Sequence, residues 1–163
     1  MIRVDQAGEY GATRIYAGQL AVMGNRARGG AQVAAMAEQE AVHLRRFNAL
    51  LATRGARPTA LQPFWHVAGF ALGAATALIG PEAAMACTAA IEEVIDQHYS
   101  QQLDDLGDED AELSGLIADC RDDEREHMAT ALASGAEQAP AYPVLAGAIK
   151  LGCRIAIGLS ERY

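Results

Sequence analysis

The chain alternates between long blocks of interspersed apolar and polar positions and short breaks built from glycine and proline. Such blocks, scarce in β-branched runs, predict helices rather than strands. A first helix is expected from about Asp5 to Met23, stopped by Gly24-Asn25. A second runs from about Ala31 to Arg54, with Gly55 as its stop, and Pro58 and Pro63 mark a loop. A short apolar third helix covers Phe64 to Ile79, ended by Gly80-Pro81, and a fourth covers about Glu82 to Leu106, stopped by Gly107. The acidic run Asp108-Glu109-Asp110 supplies a helix start with favourable N-terminal charge. The fifth helix continues from there to about Ser134, before Gly135. Pro140 and Pro143 bound the last loop, and a sixth helix covers about Val144 to Leu159.

These elements repeat. The first and second helices form one hairpin, the fourth and fifth another, and each hairpin is followed by a Pro-bounded loop and an apolar helix. The expectation is all-α: one domain over residues 1–163, a four-helix bundle with one longer crossover through the third helix and two additional apolar helices.

The repeat carries chemistry. The second helix contains Glu40-Ala41-Val42-His43 and the fifth Glu124-Arg125-Glu126-His127, and residues three apart face the same way on a helix. The first helix offers Glu9, 31 residues before Glu40, and the fourth offers Glu92, 32 residues before Glu124. One Glu from each of two helices plus Glu-x-x-His from the other two is the ligand set of carboxylate di-metal bundles. Two divalent cations held close together repel, so bridging anionic oxygens are needed, and four carboxylates cancel their charge. Two imidazoles leave coordination positions open for oxygen. Four buried carboxylates without cations would cost far too much to desolvate. Glu40 and Glu124 are assigned as bridges, Glu9 and Glu92 as terminal ligands, and His43 and His127 complete the set.

Composition removes other classes. The net charge of -8 argues against nucleic acid as a partner, and neither a Gly-x-Gly-x-x-Gly nor a Walker-type loop occurs. Cys87, Cys120 and Cys153 form no Cys-x-x-Cys pair, so neither a disulfide framework nor a zinc or rubredoxin-type site is expected. Reduced cysteines fit the cytosol. Arg3 and Asp5 precede any apolar run, so no signal peptide is expected. Glu93 and Glu126 are expected to face solvent. His66 is expected to be a packed or interfacial histidine, and His98 is either bland or a group behind the ligands. Tyr16 and Tyr99 each lie seven residues after a proposed ligand, Glu9 or Glu92. They share its helical face, with core packing as the expected use and pocket lining as the alternative.

At these residues the chain resembles the demethoxyubiquinone hydroxylase family of ubiquinone biosynthesis. The similar segments are Arg3 to Gln19 (RVDQAGEYGATRIYAGQ), Glu38 to Leu44 (EQEAVHL), Ala86 to Tyr99 (ACTAAIEEVIDQHY), Arg121 to His127 (RDDEREH) and Ala139 to Arg162 (APAYPVLAGAIKLGCRIAIGLSER). The resemblance implies a ferritin-like fold and two iron ions on the same six residues. It implies insertion of one atom of O2 into the ring of a polyprenyl demethoxy-quinone, with NADH or NADPH as the electron source. It also implies peripheral attachment to the cytoplasmic face of a bacterial inner membrane, or to the matrix side of a mitochondrial inner membrane in a eukaryote. A lipid-presenting or biosynthetic-complex protein would be a partner, and Arg154, in the C-terminal segment, would contact the reductant.

The stretch between Arg57 and Glu82 carries no formal charge, and Ala139 to Ile149 carries none either. The residues between Pro63 and Pro81 make about 26 Å of helix, slightly short of a bilayer core. The third helix is therefore expected to lie in a membrane interface, with Trp65 and His66 at interfacial depth, or to cap the bundle. If both apolar helices are core instead, Gly69-x-x-x-Gly73 serves helix packing. The rival functions are a ferritin-type iron oxidase or store, a rubrerythrin-like peroxidase, and a metal-free helical scaffold.

Overall fold

A computed structural model of the chain describes residues 1–24 and 27–163, so Asn25, half of the expected first stop, lies outside the described residues. Six α-helices follow one another: α1 (Ile2–Met23), α2 (Gly30–Thr53), α3 (Gln62–Ile79), α4 (Pro81–Leu106), α5 (Ala111–Ala133) and α6 (Tyr142–Arg162), with a 3-10 turn at Ala136–Gln138 before the last. No strand occurs among the described residues.

Helices α1, α3, α4 and α6 start earlier than the breaks suggested, for two reasons. Pro63, Pro81 and Pro143 fall within the first turns of α3, α4 and α6 rather than ahead of them. An amide is not needed in a first turn, and the fixed φ of proline suits it. At α1, the carbonyl of Met1 accepts from the amides of Val4 and Asp5 at 2.9 and 3.3 Å, which extends the helix back to Ile2. At α5 the acidic start acts through Asp110, whose carboxylate accepts from the Leu113 amide at 3.1 Å. Arg54, at the end of α2, forks onto Asp110 and also reaches Glu112 at 3.0 Å. Arg54, with the Leu113 amide, holds the Asp110 pKa down at about 2.

Helices α1 and α2 pack as one hairpin and α4 and α5 as the other, while α3 lies along α1 and α6 along α4. Every residue from Ala83 to Glu92 is buried. This half of α4 is surrounded by neighbours, and its alanines allow them to approach. The tightest approach is α1 to α3. A Cβ at Gly73 would stand 1.9 Å from the Ile15 carbonyl oxygen, and one at Gly18 would stand 2.2 Å from that of Phe70. Only glycine leaves room for these backbones to touch, so the Gly69-x-x-x-Gly73 spacing serves helix packing.

Two apolar clusters divide the bundle along its length. One gathers Tyr16, Val33, Met36, Met85 and Ala131, and the other Phe47, Leu50, Tyr99, Leu116 and Cys120. On α1, α2, α4 and α5 alike, Glu9, Glu40, His43, Glu92, Glu124 and His127 fall between the two. They form a buried polar layer between apolar ones.

The outer helices are not core on both faces. On α3, Phe64, Val67, Leu78 and Ile79 are exposed, and on α6, Val144, Leu151 and Ile155 are exposed, Val144 at 74%. Among the described residues, α6 is the one helix long and apolar enough to cross a membrane by length and composition, and little of its apolar window is buried. The sequence had marked both α3 and α6 as apolar, and both expose apolar side chains.

Candidate metal centre

The structure brings all six candidate residues into the buried layer. Their donor atoms form two quartets that could each hold a metal ion: Glu9, Glu40, His43 and Glu124 in one, and Glu40, Glu92, Glu124 and His127 in the other. Glu40 and Glu124 belong to both. Each of these two carboxylates turns one oxygen to each half. Glu124 Oε1 lies 3.5 Å from His43 Nδ1 and its Oε2 lies 3.2 Å from His127 Nδ1. Glu40 Oε2 lies 4.0 Å from His43 Nδ1 and its Oε1 lies 3.2 Å from His127 Nδ1. Glu9 Oε2 approaches His43 Nδ1 at 3.4 Å.

The groups around the quartets follow the same two-fold pattern. The Tyr99 hydroxyl on α4 donates to Glu9 on α1, and the Tyr16 hydroxyl on α1 donates to Glu92 on α4, the latter at 2.7 Å. Burial and the neighbouring carboxylates hold both tyrosines well above their usual pKa, so both remain donors. The imidazoles are braced across α2 and α5. His43 Nε2 meets Asp123 Oδ2 at 2.8 Å, and His127 Nε2 meets Gln39 Oε1 at 3.0 Å. Both partner oxygens accept, so each Nε2 carries a proton and each Nδ1 faces the carboxylates.

The sequence reading missed these braces. Tyr16 and Tyr99 were expected to pack in the core; they are buried, but each is spent on the carboxylate of the other hairpin. The signal was their seven-residue offset from Glu9 and Glu92. Asp123 and Gln39 each directly precede the Glu of a Glu-x-x-His, so aligning the two halves would have paired them. Cys120 was also passed over, and its thiol forms a group with Glu9 and His43. Glu126 is exposed as expected, whereas Glu93 is half-exposed and accepts from Lys150 at 2.6 Å. His66 is exposed, with Nδ1 2.6 Å from the Tyr10 hydroxyl. His98 joins Asp5 and Gln102 in a part-buried polar group. Arg154 is exposed on α6, where its Nη2 donates to Gln97 at 3.3 Å, and it takes no part in the quartets.

These residues fit metal ions. Both oxygens of Glu40, Glu9 Oε2 and His43 Nδ1 are buried without any hydrogen-bond partner. Buried polar atoms with no partner are costly and rare, and four that converge on one spot are explained by cations between them. Without such ions the carboxylates repel. Burial, with the other carboxylates, raises Glu40 and Glu92 well above the ordinary carboxylate pKa and raises Glu9 as well. Burial works the same way on Glu124, but His127, His43 and Glu92 outweigh it and hold that carboxyl down at about 2. Burial opposes the His43 imidazolium, but Glu124, Glu9 and Asp123 push its pKa up to about 10.

A pH dependence follows. Between about pH 5 and pH 8 the raised glutamates and His43 hold more protons folded than unfolded, so stability falls as pH rises; Glu124, already ionised in both states there, contributes no slope. The metal-free protein is expected to melt at a higher temperature near pH 5 than near pH 8. Ferrous iron is expected to reverse that order, because the metal takes the place of the protons. Calorimetric melting with and without the metal checks both signs; a metal-free melting temperature that climbs steadily over this range would contradict the assignment.

Beside the layer lies a cavity of about 460 Å³ bounded by α1, α3, α4 and α6. Gly8 and Ile91 in its wall are sequence neighbours of Glu9 and Glu92, and Gly11, Leu72, Leu145 and Gly152 continue it. The lining is almost wholly apolar, and the size is that of a small-molecule site. The polar layer, whose buried glutamates and His43 hold protons tightly when no cation is bound, thus has beside it an apolar chamber walled in part by the sequence neighbours of Glu9 and Glu92.

Comparison with known proteins shows the family of the chain. The profile of the family described as "Ubiquinone biosynthesis protein COQ7" matches residues 1–160. The chain belongs to this family. A 3-demethoxyubiquinol 3-hydroxylase from Rhodospirillum rubrum is 58% identical over 161 residues, covering 99% of this chain and 76% of the relative. The NADPH-dependent 3-demethoxyubiquinone 3-hydroxylase of Homo sapiens, a mitochondrial protein, is 55% identical over 166 residues with the same coverage of both chains. The mitochondrial 5-demethoxyubiquinone hydroxylase of Saccharomyces cerevisiae is 43% identical over 178 residues, again covering 99% of this chain and 76% of the relative. Members of the COQ7 family thus bear hydroxylase names in both bacteria and eukaryotes.

Proposed function

We propose that the chain is a 3-demethoxyubiquinol 3-hydroxylase of ubiquinone biosynthesis, which places one atom of O2 on the ring of a polyprenyl demethoxyquinol. The observation that carries this reading is an apolar cavity walled by Gly8 and Ile91, next in sequence to Glu9 and Glu92 of the doubly shared carboxylate layer. Glu9 and His43 would hold one iron, Glu92 and His127 the other, and Glu40 and Glu124 both. Bound there, the irons would pass on to O2 the electrons that the reductant delivers. One oxygen atom enters the ring, and the other leaves as water with two protons and two electrons drawn, through a reductant, from NADH or NADPH.

The protein's part is to hold and exclude. Tyr16 and Tyr99 fix the outer carboxylates by hydrogen bonds, Asp123 and Gln39 fix the imidazoles, and the apolar wall keeps water from the ring. A polyprenyl tail is insoluble in water, so the substrate arrives from lipid. The exposed apolar residues of α3 and α6, which flank the cavity, suit peripheral attachment to a membrane. A lipid-presenting or biosynthetic-complex protein fits the same route, and Arg154, exposed on α6, is assigned to the reductant. An iron store, the chief rival, would have no use for an apolar cavity beside its metal layer.

The test supplies the iron-loaded protein with a demethoxyquinol, a reductant and ¹⁸O2. The hydroxylated ring is expected to carry one labelled oxygen. Oxygen uptake proportional to added ferrous iron, with no labelled quinol, would make it an iron store instead. The membrane part is checked separately by flotation with liposomes. The protein is expected to float and, because its net charge is -8, to stay bound in high salt. Release by moderate salt would remove the apolar attachment.

A further inference from the structure

The two halves of the centre match in their carboxylates, in their imidazoles and in the tyrosines that hold the outer carboxylates. They do not match in what holds the imidazoles. Behind His43 stands Asp123, and at the equivalent place behind His127 stands Gln39. The two contacts have nearly the same length, 2.8 and 3.0 Å, and run from the same ring nitrogen. They differ by a full negative charge. Among the described residues no Lys or Arg pairs with Asp123, whose one ion-pair partner is His43. A carboxylate accepting the Nε2 proton pushes electron density toward Nδ1 and makes it the stronger donor; a neutral amide polarises the ring far less. The Cys120 thiol, grouped with Glu9 and His43, adds a second difference on the same side. At the matching position of α2, four residues before Glu40, stands Met36, whose sulfur instead accepts from the Tyr16 hydroxyl at 3.9 Å.

We propose that the centre is built unequal: Asp123, acting through His43, makes the Glu9–His43 half the tighter metal site, and Gln39 leaves the Glu92–His127 half the weaker one, filled second and emptied first. This rests on the metal-centre reading above. Asp123 and Gln39 are positioning residues, since neither is one of the donors facing the metals.

Anaerobic titration of the metal-free protein with Co²⁺, followed by calorimetry and visible absorption, tests it without turnover. Two resolved steps are expected. Asp123→Asn keeps an oxygen near Nε2 but removes the charge, and is expected to weaken the first step about 10- to 100-fold while leaving the second in place. Gln39→Glu is expected to do the reverse, tightening the second step toward the first, a gain that a merely structural role would not produce. His43→Ala is expected to leave a single weak site and His127→Ala a single tight one, with circular dichroism confirming helix content. Two equal steps, an Asp123→Asn variant that shifts both steps alike, or a tight site surviving in His43→Ala would overturn the asymmetry while leaving the metal centre standing. No Co²⁺ or Fe²⁺ binding at all would overturn the metal centre and the asymmetry together.

Discussion

Glu40→Ala is expected to lose most of the bound iron and to lower ring hydroxylation by more than about 100-fold, with helix content unchanged. Glu40 is fully buried, has no hydrogen-bond donor on either oxygen and turns one oxygen to each half of the centre. Its removal therefore strips a ligand from both ions at once and leaves two divalent cations facing three carboxylates. The fold does not depend on it, because the apolar clusters above and below the polar layer are untouched. The metal-free variant is even expected to melt somewhat higher than the metal-free parent near pH 8, since one of the mutually repelling carboxylates is gone. Glu124→Ala should share the iron loss, but it removes the ionised carboxylate that receives both imidazoles, so its metal-free form should not gain stability. Iron content, circular dichroism and product formation on the same preparations check this. A Glu40→Ala protein that keeps two irons and full activity would refute the shared role.

Gly11→Leu is expected to lower hydroxylation by a similar factor while iron content stays at the parent level. Gly11 lies within α1 in the cavity wall, two residues past Glu9, and a Cβ built there meets no atom within 4 Å. A side chain there starts into open space, and a leucine is expected to extend into the cavity that Gly11 lines. In the interior of a helix, leucine is favoured over glycine by about 1 kcal/mol, so the variant should be at least as stable as the parent. Loss of product with unchanged iron and an unchanged or raised melting temperature would separate substrate access from metal binding. Full activity in this variant would place the quinol somewhere other than this cavity.

The sequence was most informative where the governing physics is local. Glycine and proline mark helix ends because they act on their own backbone. Glu-x-x-His announces a shared face because three residues make almost one turn. The spacing of Glu9 from Glu40 and of Glu92 from Glu124 disclosed the two-fold plan of the centre before any coordinates did. The misses were also physical. Prolines at 63, 81 and 143 looked like loop boundaries and proved to sit inside first turns. Tyr16 and Tyr99 do pack in the apolar clusters, as an aromatic at helical spacing usually does, but their hydroxyls also reach the carboxylates of the other hairpin, a cross-helix meeting that no spacing announces. Charge-free composition drew attention to α3 and to Ala139–Ile149, whereas the exposed apolar residues of α6 continue past Lys150 to Leu151 and Ile155.

By itself, then, the sequence determined the number and kind of helices, the identity of six candidate donors and their division into two halves. All of these follow from the 3.6-residue repeat and from residue chemistry within one turn. Only the tertiary structure decided which groups of different helices meet: Tyr16 with Glu92, Tyr99 with Glu9, His43 with Asp123 and His127 with Gln39. It also decided that an apolar cavity forms among α1, α3, α4 and α6, with neighbours of Glu9 and Glu92 in its wall. Those meetings depend on how far each helix is rotated about its axis and slid along its neighbour. That offset is set by contacts such as the backbone approach of Gly73 to Ile15 and the packing of α4 among its neighbours. No pattern within a single helix encodes it, which is why the unequal bracing of two nearly identical halves became visible only once the helices were in place.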